Sequence, residues 1–229
     1  MLDIKDLCVS YGEQVIFDKF NLNIEAGQTV CILGRSGCGK TTLLHATARL
    51  IGYGGSISGQ GRVSYVFQQS RLLPNLTVLG NIMYALGGDR ESAEQAAMFA
   101  LSAMGIAHIK DKYPAKISGG EAGRAALARA FACGGDTLLM DEPFRALDIA
   151  VKRGIISRFV STKSPACTVL FVTHDIEEAL MCADRVIVLG GSPCNVIFNT
   201  YIDIPAIERH CDCAELNALR GDIVRALTV

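Results

Sequence analysis

The chain has 229 residues, half of them hydrophobic and 20% charged, with a formal net charge of -1. That length allows one large domain with a sizeable core, and the near-neutral balance leaves no electrostatic footprint for nucleic acid. No stretch reaches the roughly 18 consecutive apolar residues of a membrane helix, and the opening residues MLDIKDLCVSYG lack the basic start and apolar run of a secretory signal. A cytosolic protein is expected, with any membrane connection made through a partner.

Leu2–Val9 and Val15–Ile24 alternate apolar and polar residues around Tyr11-Gly12-Glu13, which predicts an antiparallel hairpin. Thr29–Leu33 is the first of four short apolar runs; Thr137–Met140, Val169–Val172 and Val186–Leu189 are the others. None of them alternates, so each reads as a strand buried on both faces, as in a parallel sheet. A helical stretch, Thr42–Leu50, follows the first. Residues from about 75 to 130 look helical almost throughout, and Ser92–Met104 is rich in the good helix formers Ala, Met, Leu and Glu. Val151, Ile155 and Phe159, beside Ile156 and Val160, form the apolar face of a further helix. Ala214–Leu227 is an amphipathic candidate in the tail. The expected fold is α/β: a core over 1–74 and 131–202 with a mostly parallel sheet and right-handed crossovers. An N-terminal antiparallel β part, an inserted helical lobe over 75–130 and a tail over 203–229 complete one domain, 1–229.

Nine cysteines are scattered along the chain. In a cytosolic setting they read as reduced thiols, several packed as small hydrophobes. His210, Cys211 and Cys213 lie together but lack the second ligand pair of a zinc site.

The chemistry starts at Gly34-Arg35-Ser36-Gly37-Cys38-Gly39-Lys40-Thr41, a full match to G-x-x-x-x-G-K-[ST] between an expected strand and an expected helix opening at Thr42. The glycines let successive N–H groups face one concavity, and the helix start adds partial positive charge. Lys40 is then the cation for the β- and γ-phosphates, and Thr41 the hydroxyl for Mg2+. Thr137-Leu138-Leu139-Met140-Asp141-Glu142 is an apolar strand ending in two carboxylates, where open α/β sheets bind ligands. Asp141 is the candidate for the magnesium shell, and Glu142 for orienting or deprotonating the attacking water. Cys38, beside Lys40, is expected to have a depressed thiol pKa. A thiol reagent is therefore expected to block ATPase activity, with bound ATP protecting.

Further motifs narrow this reading. Ile117-Ser118-Gly119-Gly120-Glu121 resembles the LSGGQ signature of ABC ATPases, Val66-Phe67-Gln68 their Q-loop, and Ala146-Leu147-Asp148 their D-loop. His174 is similar in place to their switch histidine, and Tyr11 to the aromatic that stacks on adenine. The resemblance runs in the family's order from Tyr11 to His174. It implies the ABC ATPase fold, ATP and Mg2+ as ligands, and a head-to-tail homodimer. In that dimer Ser118, Gly119 and Gly120 of one copy face the γ-phosphate held by the other's phosphate loop, residues Gly34 to Thr42. It further implies that His174 contacts the γ-phosphate and holds Glu142 and the water in place. Gln68 would reach the metal and the water, and Asp148 would shape the dimer contact. As isolated residues, Ser118 and Asp148 would equally be helix caps, and Tyr11 a hairpin aromatic.

Two departures stand out. The signature continues as Glu121-Ala122-Gly123-Arg124, where a looser helix start and added negative charge are expected, since Gly inside a helix costs about 1 kcal/mol relative to Ala. Arg145 stands where a glycine or serine is common. Both put the hydrolysis rate in question. Phe67 to Pro74, Leu76-Thr77-Val78 and Asp141-Glu142-Pro143-Phe144 resemble importer subunits of the nitrate, sulfonate and taurine type. That implies permease partners at the inner face of the membrane, a substrate-binding protein in the full system, and no nucleic-acid partner. The alternatives are a soluble ABC ATPase acting on nucleic acid or the ribosome, and a weakly hydrolysing ATP-gated dimer.

Overall fold

The computed structural model describes residues 1–145, 147–209 and 213–228. Strands β1 (Leu2–Tyr11) and β2 (Gln14–Ile24) form the expected hairpin, turning at Gly12 and Glu13. Asp6 and Lys19 adopt positive φ where the register of the pair shifts, and these bulges keep Leu7 and Phe20 buried together across an interrupted alternation. After β3 (Thr29–Gly34) and α1 (Lys40–Thr47) come β4 (Gly54–Ser58) and β5 (Val63–Val66). Helices α2 (Val78–Leu86), α3 (Arg90–Ala103) and α4 (Gly119–Cys133) follow, with no strand between residues 75 and 130. Then β6 (Thr137–Asp141), α5 (Ile149–Thr162), β7 (Thr168–Val172), α6 (Ile176–Cys182), β8 (Arg185–Gly190), β9 (Asn195–Tyr201) and α7 (Ala214–Thr228) complete the order.

Six strands make the central sheet in the order β5-β6-β7-β3-β8-β9, parallel except for β9. Along β3, Val30 and Ile32 face one hydrophobic cluster, and Cys31 and Leu33 face the other. The first cluster lies under the three-stranded sheet β2-β1-β4 and α1, the second under α2, α3, α4, α5 and α6. Both faces of the strand are covered, which is why its sequence shows no alternation. The apolar face read for α5 is buried at Ile155, Ile156 and Phe159, and α7 buries Leu216 and Ile223.

Three strands escaped the sequence reading: β4, β5 and β9. The first is Gly-Gly-Ser-Ile-Ser, the second has four residues, and the third is an edge strand whose residues alternate between exposed and half-buried. Helix α1 begins at Lys40 and ends at Thr47, before the expected Leu50, because Arg49 turns to a left-handed φ of 57°. His210 and Cys211 of the small cysteine cluster, and Ala146 of the D-loop, lie outside the described residues. Among the described residues, no helix is long and apolar enough to cross a membrane.

Candidate functional site

The phosphate loop hangs between two buried anchors. Strand β3 is buried along its whole length, and Leu43 and Leu44 bury the first turns of α1. Two glycines let the loop pass between them. Gly34 has φ 154°, and a β-carbon there would come within 2.6 Å of the Leu189 carbonyl oxygen. Gly39 has φ 109°, and a β-carbon would meet Ile16 Cγ2 at 2.7 Å and the Phe17 ring at 3.1 Å. Only glycine fits either position without strain. No side chain caps α1, so the first amides of that helix are free to bind an anion. Lys40 Nζ donates to the carbonyls of Gly34 (2.7 Å) and Arg35 (2.9 Å), which holds its charge at the mouth of the loop.

Beside the loop lies a cavity of about 400 Å3. Ser36, Gly37, Gly39, Lys40, Thr41 and Thr42 line one side; Gln68, Asp141, Glu142, Arg145 and His174 close the other. Asp141 ends β6 with its side chain bonded to Thr41. Burial raises its carboxyl above the ordinary value, the Thr41 bond working against this and the neighbouring Glu142 charge adding to it. Glu142 takes a left-handed φ of 48°, a strained conformation of the sort that gathers at functional sites, while its N–H donates to the Val172 carbonyl at 3.0 Å. That turn aims its carboxylate into the cavity. His174 Nδ1 lies 3.1 Å from Oε1; Gln68 Nε2 (3.2 Å) and Arg145 Nη1 (2.9 Å) both donate to Oε2. Burial works to raise the Glu142 carboxyl, but His174, Arg145 and Gln68 outweigh it and leave the group below its ordinary value, ionised at neutral pH.

A hydroxyl, a carboxylate and an amide oxygen at Thr41, Asp141 and Gln68 are the hard donors that magnesium takes, with phosphate oxygens and water filling the remainder. No group of three His, Cys, Asp or Glu among the described residues could hold a metal by itself.

Several expected residues lie elsewhere. Tyr11 is 52% exposed at the hairpin tip and does not line this cavity. Asp148 accepts from the Val151 N–H at 3.0 Å and caps α5. Ser118 and Gly119 are exposed at the start of α4, and no signature residue lines the cavity. The expectation of a loose start to α4 is corrected: Glu121 accepts from the Ser118 N–H at 2.7 Å, and Ser118 Oγ accepts from the Glu121 N–H at 3.2 Å. This is a complete capping box, which turns the glutamate charge back onto its own helix. The S-x-x-E spacing carried that signal. Arg145, noted only as a departure, proves to be a direct partner of Glu142. The Cys38 thiol is depressed as expected, to about 6, but its largest cause is the neighbouring Cys194 side chain, ahead of the Lys40 charge.

Residues 17–145 match the model of the family described as ABC transporter. The aliphatic sulfonates import ATP-binding protein SsuB 1 of Paracoccus denitrificans is 43% identical, over 99% of this chain and 93% of its own. The corresponding SsuB of Delftia acidovorans is 41% identical, over 96% of this chain and 90% of its own. Among solved structures, the dimeric MJ0796, a bacterial ABC transporter cassette, superposes with a TM-score of 0.80 at 28% identity. It covers 88% of this chain and 98% of that one. A dimeric post-hydrolysis state of the same cassette, bound to ADP and Pi, gives 0.79.

Proposed function

The chain belongs to the ABC transporter family, and from that premise we propose that it is the ATP-hydrolysing subunit of an importer for small organic anions of the sulfonate class. One observation carries the chemistry: a single cavity joins an amide-lined phosphate loop to a carboxylate, Glu142, held on both oxygens. The loop amides and Lys40 bind the triphosphate and Thr42 extends the same helix start. Thr41, Asp141 and Gln68, together with the phosphates, would hold magnesium, which would neutralise part of the phosphate charge. Glu142 orients the attacking water and takes its proton; a base placed in this way contributes about 10²–10⁴-fold. His174 holds Oε1 of that carboxylate and meets the γ-phosphate. Tyr11 stacks on the adenine.

The signature helix start does not line the cavity in one chain, so a second copy supplies it. Ser118, Gly119 and Gly120 then present a helix N-terminus to the γ-phosphate bound by the first copy, and Asp148 shapes the contact. Permease subunits seat the pair at the inner face of the membrane, with a substrate-binding protein delivering cargo. The sulfonate class rests on the import relatives.

Phosphate release by the purified chain, alone and reconstituted with its permease, tests this. Glu142→Gln should bind ATP with little change and lose about 10²–10⁴-fold in turnover; Lys40→Ala should lose binding. Full turnover in Glu142→Gln would remove the mechanism. Uptake driven by an amino acid or a sugar, with no response to alkanesulfonates, would remove the substrate class.

A further inference from the structure

A second cavity, of about 490 Å3, touches the same phosphate loop. Arg35, Ser36 and Cys38 line it from the loop, and Gly190, Ser192 and Cys194 from the turn between β8 and β9. Sheet topology brings the two segments together. Gly34 pairs with Leu189 of β8, and the chain then reverses into β9, so Cys194 returns alongside the loop. Cys38 Sγ lies only 2.8 Å from where a β-carbon on Gly34 would stand. Cys194 is fixed by its N–H, which donates to the Ile16 carbonyl at 2.8 Å, and Ile16 itself packs on Gly39. Between these anchors the Cys38 and Cys194 side chains line the same cavity and interact with each other.

The two thiols differ in character. The Cys194 contact, the Lys40 charge and backbone amides outweigh burial at Cys38 and leave it a thiolate at neutral pH. Cys194 is pushed the other way, by Cys38 and by burial, and keeps its proton. A low-pKa, half-exposed thiol beside a protonated neighbour is the arrangement of a peroxide-reactive cysteine and its resolving partner. Cys31 and Cys182 are the contrast: both are buried in the core, and burial holds both thiols protonated.

We propose that hydroperoxide converts Cys38 and Cys194 into a reversible disulfide that shuts the phosphate loop to nucleotide. The Cys38 thiolate attacks one peroxide oxygen; the O–O bond breaks, leaving a sulfenic acid and hydroxide. Cys194 sulfur then attacks the Cys38 sulfur, the S–S bond forms, the S–O bond breaks, and the Cys194 proton leaves with the hydroxyl as water. The hydroxide takes up the proton that Cys38 released on ionising, so two thiols give up two electrons to one hydrogen peroxide, and one disulfide and two waters result. Drawing the sulfurs to about 2.05 Å pulls the Cys38 backbone toward the β8–β9 turn and disturbs the amides on either side of it. A shift of about 1 Å in such a constellation can cost about 100-fold. The loss of function rests on the loop being the ATP site; the bond itself does not.

The full chain, reduced and nucleotide-free, is treated with hydrogen peroxide. It is then read by peptide mass mapping and by binding of a fluorescent ATP analogue. A peptide pair joining Cys38 to Cys194, with at least a tenfold fall in analogue affinity restored by dithiothreitol, is the expected result. Cys194→Ala should bind the analogue normally when reduced and, after peroxide, should carry Cys38 as a sulfenic acid that dimedone labels, whereas the parent should not. Absence of the joined peptides, unchanged affinity once they form, or equal dimedone labelling of Cys38 in parent and Cys194→Ala would each overturn the proposal. Failure of the untreated, reduced protein to bind the analogue would instead count against the ATP-site reading.

Discussion

Glu142 is where local strain and long-range contact meet. Its left-handed backbone delivers the carboxylate, and its three partners come from the Q-loop, the D-loop and the end of β7. Arg145 carries little of the fold, since its side chain is 60% exposed. Removing it takes away one of the influences that hold the Glu142 carboxyl low, so that group needs a higher pH to ionise. In Arg145→Ala the acid limb of the kcat profile should therefore move to higher pH, and Arg145→Lys should return it toward the parent; an unmoved limb would show that Arg145 does not bear on the base. The capping box gives a second test at this scale. Glu121→Ala should speed amide exchange in the first turn of α4, and Glu121→Gln, which can still accept from the Ser118 N–H, should not.

Among elements, the contact of α5 with α6 depends on a charged cluster. Lys152 Nζ reaches Asp175 at 2.8 Å and Glu178 at 2.5 Å, and Thr173 Oγ1 donates to Glu178 at 2.6 Å. Burial raises Glu178, only partly offset by Lys152 and Thr173, whereas at Asp175 the bond to Lys152 prevails over burial and lowers the carboxyl. Asp175 thus stabilises the fold at neutral pH, and its contribution is lost as pH falls through its depressed pKa. Lys152→Met strands a carboxylate that is 3% exposed, and should cost about 3 kcal/mol at pH 7 in urea titration. The deficit should shrink toward pH 4 as Glu178 takes up a proton; a constant deficit would mean lost packing alone. Helix α4 is tied to the Q-loop more lightly, through Arg129, which donates to the carbonyls of Arg71 and Ser70, both at 3.0 Å. Arg71 in turn lies over the Phe67 ring at 4.0 Å. Arg129→Ala should loosen residues 67–73 in hydrogen exchange while leaving β6 unchanged.

For the whole molecule, the arrangement of cavity and signature sets the expected assembly. Phosphate loop and Glu142 share one cavity, while Ser118 and Gly119 are exposed and do not line it. Bound ATP can bridge two chains only if they meet head to tail, and slow hydrolysis should let that pair accumulate. Glu142→Gln with ATP and magnesium should therefore run at twice the monomer mass in size exclusion, and Lys40→Ala should not. Dimer in both variants, or in neither, would separate association from the nucleotide.

The amino-acid sequence by itself determined the parts that are contiguous. The phosphate loop is one unbroken segment, so its glycines, lysine and threonine are legible without knowing what surrounds them. The four interior strands are legible because burial on both faces removes alternation. The hairpin is legible because one face is wet. The short, glycine-rich or edge strands β4, β5 and β9 bury too little apolar surface to mark the sequence, and only pairing with their neighbours defined them. Tertiary structure alone decided that Arg145 joins His174 and Gln68 on one carboxylate, and that Cys38 meets Cys194. Arg145 is a near neighbour of Glu142 whose side chain could have pointed elsewhere, and the other contacts join residues far apart in the chain, where the parallel order of the strands brings their carboxyl ends to one edge of the sheet.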